Sequence, residues 1–295
     1  MAQHLPVMSV EVVAALAPSR GGLFVDCTVG LGGHARALIE SGASRVIGLD
    51  RDPDALARAA AVLAPWGERV ELVQADYRDI ERVLDERSVG EIAGAVADLG
   101  VSSLQLDGRG RGFSFRRDEP LDMRMDASTG PTAADMLAAA TETELADVIF
   151  HYGEERRARA VARAIVALRQ REPLRTTGQL AAVVRRVVGR PGSWRIDPAT
   201  RTFQAIRIWV NRELEGIDTF LRAVCGRLQA GGRFVVVTFH SLEDRPVKHT
   251  FRDMVAGGAS YRLLTRKPLV PRDDEMAGNP RARSAKLRAI ERLGE

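Results

Sequence analysis

The residues best placed to do chemistry form a series along the first hundred positions. Phe24-Val25-Asp26-Cys27-Thr28-Val29-Gly30-Leu31-Gly32-Gly33-His34 carries an apolar run into a glycine cluster. Val46-Ile47-Gly48-Leu49-Asp50 is a second apolar run, and it ends in a carboxylate. Asp76-Tyr77 and Asp98-Leu99-Gly100-Val101-Ser102-Ser103 follow two more. Glycines permit positive φ and close approach of the backbone. A helix starting at the cluster would aim its free N–H groups at whatever sits there. A carboxylate about twenty residues on is placed to take ribose hydroxyls. The pattern is that of a nucleotide-like ligand. Gly30-x-Gly32-x-x-Ala35 also satisfies the dinucleotide fingerprint, so this stretch leaves the ligand open.

These residues need a parallel sheet to bring them together. Val70–Val73 and Ala93–Ala97 read as third and fourth strands. Asp52-Pro53 opens the helix between the second and third, with Asp52 as N-cap and proline in the first turn. The alternation predicts a sheet with helices on both faces and ligands at the carboxyl ends of its strands. It then stops. Residues 108–126 are rich in arginine, glycine and aspartate and read as a long loop. Helical patterns without strands follow. Capping boxes stand at Thr141/Glu144 and Thr176/Gln179, with apolar residues at helical spacing between and after them. Residues 189–197 read as a loop. Asp197-Pro198 opens a long helix reaching about Leu228. Phe234–Phe239 is a continuous apolar run and reads as a buried strand. Weaker strands are expected near Tyr261–Leu264 and Ala285–Ile290. The expected organisation is a first sheet part over residues 1–114, a helical insertion over 115–200 for substrate recognition, and a second sheet part over 201–295.

The chain has 295 residues, enough for an α/β core and a smaller second domain. No apolar run approaches a membrane span, and no signal peptide is expected. Its two cysteines make no disulfide framework, and no residues show metal-ligand spacing. A reducing, cytoplasmic setting is expected. Net charge is +4, and all but three of the 43 basic residues are arginine. A GC-rich genome accounts for that skew as well as function does. Only local clustering of arginine therefore points to a polyanion.

Two chemistries use such a glycine turn with Asp50. A nicotinamide enzyme needs a second nucleotide half-site and a proton donor near a carbonyl. An S-adenosylmethionine enzyme needs an adenine contact after the third strand and a polar acceptor pocket after the fourth. Asp76-Tyr77 suits the adenine contact, and Asp98 can accept a hydrogen bond from an amine. Methyl transfer therefore stands ahead of hydride transfer without excluding it.

From here the chain resembles a known family, the bacterial 16S rRNA (cytosine(1402)-N(4))-methyltransferases, called RsmH or MraW. The resemblance runs from His4-Leu5-Pro6-Val7-Met8 to Asn279-Pro280-Arg281-Ala282-Arg283-Ser284. Between them it rests on Gly30–His34, Asp98–Ser103, Arg111-Gly112-Phe113-Ser114-Phe115 and Pro120-Leu121-Asp122-Met123-Arg124-Met125-Asp126. It continues through Tyr152-Gly153-Glu154-Glu155-Arg156, Thr200-Arg201-Thr202-Phe203-Gln204-Ala205-Ile206-Arg207 and Phe239-His240-Ser241-Leu242-Glu243-Asp244-Arg245. It implies an α/β, class I (Rossmann-like) methyltransferase sheet interrupted by an all-helical domain. The implied cofactor is S-adenosyl-L-methionine. The implied substrate is the exocyclic amine of one decoding-region cytidine of 16S rRNA within the small ribosomal subunit. Expected partners are that rRNA and a second copy of the chain in a homodimer, with no membrane.

The family's cofactor contacts carry over to Gly32, Gly33, His34, Asp50, Tyr77, Asp98 and Gln105, with Gly30 in the same turn. Gly32 and Gly33 are expected to let backbone approach the methionine part. Tyr77 packs on adenine or serves as a core-edge aromatic. Gln105 offers an amide or is an ordinary polar loop residue. His34 sits at a helix start, where the dipole disfavours imidazolium, and is expected neutral. The sulfonium already activates the methyl group, so catalysis is alignment plus an acceptor for the amine's hydrogen bond. Asp98 is the first candidate. Amino-methylating DNA enzymes carry Asp-Pro-Pro-aromatic at this strand end. Asp-Leu-Gly-Val stands here, so the stacking role of that motif does not transfer. His240 is a candidate base or RNA-orienting group.

The target base must leave its stack to be methylated. Phe113 and Phe115, flanked by Arg109, Arg111, Arg116 and Arg117, could clamp base and phosphate, or could fold onto the insertion. Arg201, Arg207, Arg281 and Arg283 are further phosphate candidates. A nicotinamide dehydrogenase and a non-catalytic ribosome-assembly factor are the competing readings. Asp50 and Asp98 favour catalysis over passive RNA binding.

Overall fold

The apolar runs of the first hundred residues form the strands β1 (Leu23–Asp26), β2 (Arg45–Asp50), β3 (Val70–Gln74) and β4 (Ile92–Asp98) in a computed structural model. Residues 6–102, 105–106, 108–189, 197–258 and 260–294 are described. Ser103, the start of the His4–Met8 motif and positions 190–196 of the 189–197 loop lie outside them. Two compact units result. One is Met1–Gly100 with Gly216–Glu295, and the other is Val101–Glu215.

In the first unit β1, β2, β3 and β4 are joined in parallel, and β5 (Leu228–Thr238) continues parallel to β4. β7 (Lys286–Arg292) runs antiparallel beside β5, and β6 (Tyr261–Leu263) pairs antiparallel with β7. The order is β3-β2-β1-β4-β5-β7-β6. The dinucleotide fold has the order 3-2-1-4-5-6. An antiparallel strand inserted before the sixth is the class I methyltransferase arrangement. β4 reads Ile-Ala-Gly-Ala-Val-Ala-Asp and is buried up to its last residue, as a strand covered on both faces must be. Strand β5 begins earlier than its apolar run. Leu228 pairs with Ile92, and the register then shifts so that Arg233 pairs with Gly94. Gly231, at φ 75°, takes up the irregularity.

Gly94 marks the closest approach in the sheet. A Cβ there would lie 2.7 Å from the Phe24 ring and 2.8 Å from the carbonyl oxygen of Arg233. The oxygen is backbone and cannot step aside. Gly94→Ala should destabilise the protein by about 1–3 kcal/mol, the usual cost of overpacking. A urea midpoint equal to wild type at unchanged slope would refute this.

The second unit is helical. Its core joins Leu137, Leu145, Ile149, Val161, Ile165, Leu180 and Val184. Its helices are Ala133–Ala139, Glu142–Gly153, Ala158–Arg169, Thr177–Val188 and Ala199–Asn211. Thr176 and Gln179 form the expected capping box; Thr141 accepts from the Glu144 N–H; Thr132 and Asp135 form a further box.

The units divide at 100/101 and 215/216, whereas the sequence placed the divisions at 114/115 and 200/201. Two local features account for the difference. The arginine-rich loop is tied into the helical unit. The N–H of Leu121 donates to the Arg175 carbonyl, and the hydroxyl of Thr177 donates to the Arg117 carbonyl. The helix expected from 197 to 228 is two helices, Ala199–Asn211 and Ile217–Arg227. Arg212 and Gly216 both adopt left-handed backbone, at φ 51° and 68°, and break it. The chain changes unit inside that break.

Candidate functional site

Strand order reverses between β1 and β4, and α/β sheets bind ligands in the crevice at that reversal. Asp26 ends β1 and Asp98 ends β4, with Asp26 two residues past the pair Phe24↔Gly94. The helix Gly33–Glu40 starts here from Gly32, whose φ of 85° suits glycine. The glycines also make room inside the protein. A Cβ on Gly32 would meet Leu63 at 3.1 Å, and one on Gly33 would meet the Pro6 ring at 3.0 Å. Their small size admits the protein's own neighbours. Gly30 donates its N–H to Asp50 Oδ2 at 2.9 Å, and the N–H of Asp52 donates to Oδ1 at 2.9 Å. The Asp50 carboxylate is thereby fixed at the end of β2. Burial pushes its pKa up, against those two hydrogen bonds.

His34 lies buried at the second position of the helix, with Nε2 3.5 Å from Asp98 Oδ2. Burial alone would lower its pKa. The Asp98 carboxylate beside it, then Asp26 and Glu275, outweigh burial and raise it. The shift runs opposite to the one the helix start led us to expect, because three carboxylates act on one ring. Asp26, which the sequence left without a role, is raised to about 6, chiefly by burial, with His34 acting the other way. Thr28 Oγ1 accepts the N–H of Asp98 at 2.7 Å and holds the end of β4.

Several atoms here are buried without a hydrogen-bond partner: Asp26 Oδ2, Asp98 Oδ1 and both ring nitrogens of His34. Orphaned buried polar atoms are rare and call for an explanation. Acceptors on Asp26 and Asp98 suit an ammonium. The imidazole suits a carboxylate, and Asp50 suits a diol. An amino-acid zwitterion joined to a ribose, as in S-adenosylmethionine, fits this set.

Asp26 yields a prediction. Its folded pKa lies above its ordinary value of 3.8, so its contribution is full below about pH 4 and is lost as pH rises through about 6. Relative to Asp26→Asn, wild type should lose on the order of 3 kcal/mol across that window. Parallel urea midpoints of the two proteins from pH 4 to pH 7 would refute this.

The remaining expected residues divide. Tyr77 packs its ring 4.6 Å from that of Phe220, with the Arg78 guanidinium 5.9 Å from the ring centre, which is the core-edge placement. Asp76 is taken up by Arg78 in a two-pronged pair, at 2.8 and 2.6 Å. His240 N-caps the helix Ser241–Ala256, with Nε2 3.0 Å from Oε1 of buried Glu243. Oε2 of Glu243 accepts the N–H of Phe239. Gln105 belongs to the second unit, where its Oε1 accepts the N–H of Ser102 at 3.0 Å. It is a buried local brace rather than a polar loop residue.

Several RNA assignments are corrected. Phe113 is 6% exposed, so its ring is not offered for stacking. Phe115 lies edge-on to Phe203 at 4.8 Å and under the Arg185 guanidinium. Arg111 donates to the carbonyls of Arg124 and Met125. Arg207 grips Glu213 through two nitrogens, the shortest contact being 2.7 Å, with both side chains largely buried. Arg201 donates to the Glu154 carbonyl, and Arg117 pairs with Glu119. Arg109, Arg116 and Arg283 are exposed, and Arg281 is half-buried. Sequence reading missed Asp26, Thr28, Glu243 and Glu275. Only Asp26, at the end of the first apolar run, carried a local signal.

Three curated proteins named Ribosomal RNA small subunit methyltransferase H are similar to this chain. The protein from Nitrobacter winogradskyi is 50% identical over 303 aligned positions, covering 98% of this chain and 91% of that one. The one from Sorangium cellulosum is 49% identical, covering 99% and 91%. The one from Geotalea uraniireducens is 46% identical, covering 98% of each. A family model matches residues 1–293, and with these relatives it shows that the chain belongs to the MraW methylase family.

Proposed function

We propose that this protein transfers a methyl group from S-adenosylmethionine to the exocyclic N4 amine of a decoding-region cytidine in 16S rRNA of the small ribosomal subunit. The observation that carries the reading is Asp98. It ends β4 at the strand-order reversal, with Oδ1 buried and partnerless and Oδ2 3.5 Å from His34. The name shared by the relatives supports ribosomal RNA as substrate. Bound S-adenosylmethionine supplies a methyl group activated by its sulfonium. Asp50 accepts from the ribose hydroxyls, and Asp26 and His34 meet the two charged ends of the amino-acid part. Asp98 accepts a hydrogen bond from the attacking amine, whose lone pair is otherwise spread into the ring. His240, held against Glu243, receives the proton. The helical unit serves as the substrate-recognition domain, with Arg109 and Arg116 of its loop on phosphate and Arg283 doing the same from the sheet unit. No helix among the described residues is long and apolar enough to cross a membrane, and a reaction on ribosomal subunits belongs in the cytoplasm.

The test is incubation with methyl-labelled cofactor and small subunits from a strain lacking the enzyme. Label on N4 of one decoding-region cytidine is expected. Its absence there would overturn the substrate assignment.

A further inference from the structure

The helix Ser241–Ala256 carries Arg245, Lys248 and Arg252 at spacings of three and four, so they line one face. Lys248 and Arg252 meet Arg266 around a shallow pocket whose wall includes Thr265 and Arg288. Arg288 is already held by Asp244, at 2.7 and 3.0 Å. Lys248, Arg252 and Arg266 form no ion pair among the described residues. Several other arginines are already paired. Arg78, Arg124, Arg185 and Arg262 each grip a carboxylate. Like charges four apart on a helix destabilise it slightly, and a third cation adds to that cost. An anionic partner would remove it.

One wall residue of the pocket, Arg288, lies near the ligand end of the sheet. Lys286 pairs with Thr238, the last residue of β5, and Arg288 with Val236. After β6 the chain runs on along β7, Leu264 bonding to Ala289 and Leu269 to Leu287, so it carries Arg266 toward that same end. In strand order β6 stands three places from β4, about 14 Å at ~4.8 Å per step. RNA whose target base is presented at Asp98 would cross that lateral step to reach the pocket.

We propose that Lys248, Arg252 and Arg266 form a docking surface for the sugar–phosphate backbone of RNA flanking the target nucleotide. Four of the seven residues lining the hollow are cationic and offer charge to phosphates, and of its two apolar residues Phe251 is buried. The identity of the RNA rests on the function proposed above.

The test is filter binding of the triple variant Lys248→Ala/Arg252→Ala/Arg266→Ala to unmethylated small subunits and to protein-free 16S rRNA, across a salt series. Binding to both should weaken at least about tenfold near 0.1 M salt, and the slope of log affinity on log salt should become shallower by about 2–3. Affinity for S-adenosylhomocysteine should be unchanged. Arg58→Ala, which removes an exposed charge on another helix of the same unit, should match wild type. The pair Arg252→Ala/Arg266→Ala, both exposed, repeats the measurement should the triple variant fold poorly. Wild-type affinity and slope in the variants would overturn the surface. A loss seen on subunits but not on protein-free rRNA would assign the face to an acidic protein and overturn it too. Wild-type protein that binds RNA but transfers no methyl would sink the proposed reaction while the binding comparison still decides the surface.

Discussion

Replacing Asp98 by alanine is expected to lower kcat by about 10²–10³ and to leave the fold intact. Loss of one preorganised group aimed at developing charge typically costs about 3–4 kcal/mol of barrier. Stability should hardly change, because the side chain contributes little to the folded state. Its Oδ1 has no protein partner, and its nearest charged contact is His34 at 3.5 Å. The hydrogen bond anchoring this residue runs from its backbone N–H to Thr28 and survives in alanine. The Asp98 charge also helps to raise the pKa of Asp26, so its removal relieves a buried repulsion.

The kinetic pattern separates the two jobs a carboxylate could have here. An acceptor for the target amine acts in the transition state, so kcat and kcat/KM should fall together. A contact to the cofactor's ammonium alone would raise KM for the cofactor and spare kcat. Near-normal turnover would remove Asp98 from the mechanism. An independent readout comes from His34, whose pKa is held up chiefly by Asp98 against burial. In Asp98→Ala its imidazole should titrate at lower pH by NMR, and an unmoved titration would show that the two groups are not coupled.

What the sequence revealed of this site follows from the range of the interactions involved. Strand ends are local, so Asp50, Asp98 and the glycine turn could be read from apolar runs that stop at a carboxylate. The resemblance to the methyltransferase family rested on the same linear motifs. The direction of the His34 pKa shift was not legible. Its ring is governed by Asp98, Asp26 and Glu275, which lie 64, 8 and 241 positions away in the chain. Only the dipole of its own helix is visible locally. Periodicity failed similarly at residues 212–216. Apolar spacing there is compatible with one helix, and nothing in it reports the left-handed backbone of Arg212 and Gly216. The packing role of the glycines was hidden for the same reason, since Leu63 and Pro6 fill the space beside Gly32 and Gly33. Residue type misled most in the loop at 108–126. Arginine beside phenylalanine is the composition of an RNA clamp. It is equally the composition of a loop that buries Phe113 and ties Arg111 to backbone carbonyls.

Arg207 turns that lesson into an experiment, because an RNA contact and a structural pair predict opposite things. Its guanidinium holds Glu213 at 2.7 Å, with side-chain exposures of 15% and 7%. Arg207→Ala strips a largely buried carboxylate of that guanidinium, and breaking such a pair by one partner costs about 3–5 kcal/mol. Thermal unfolding of the variant should drop by about 6–20 °C, at 2–4 °C per kcal/mol for a chain of this class. The paired change Arg207→Met/Glu213→Leu removes both charges and fills similar volume. Such replacements are often neutral or stabilising, so the double variant should recover most of the loss. If Arg207 instead served phosphate, the single variant would keep its midpoint and both variants would bind 16S rRNA more weakly, with a shallower salt dependence. A pair that is structural gives the reverse: rRNA affinity per folded molecule stays at the wild-type value in the double variant. The surrounding geometry favours the structural outcome. The Arg207 carbonyl accepts from the Asn211 amide, and that amide also donates to the carbonyl of Met123. Asn211 Oδ1 accepts the N–H of Met125, so helix Ala199–Asn211 grips the arginine-rich loop at Met123 and Met125. An ion pair at 207 and 213 fixes the end of that helix where the chain turns toward the sheet unit, and its removal loosens the loop as well as the helix.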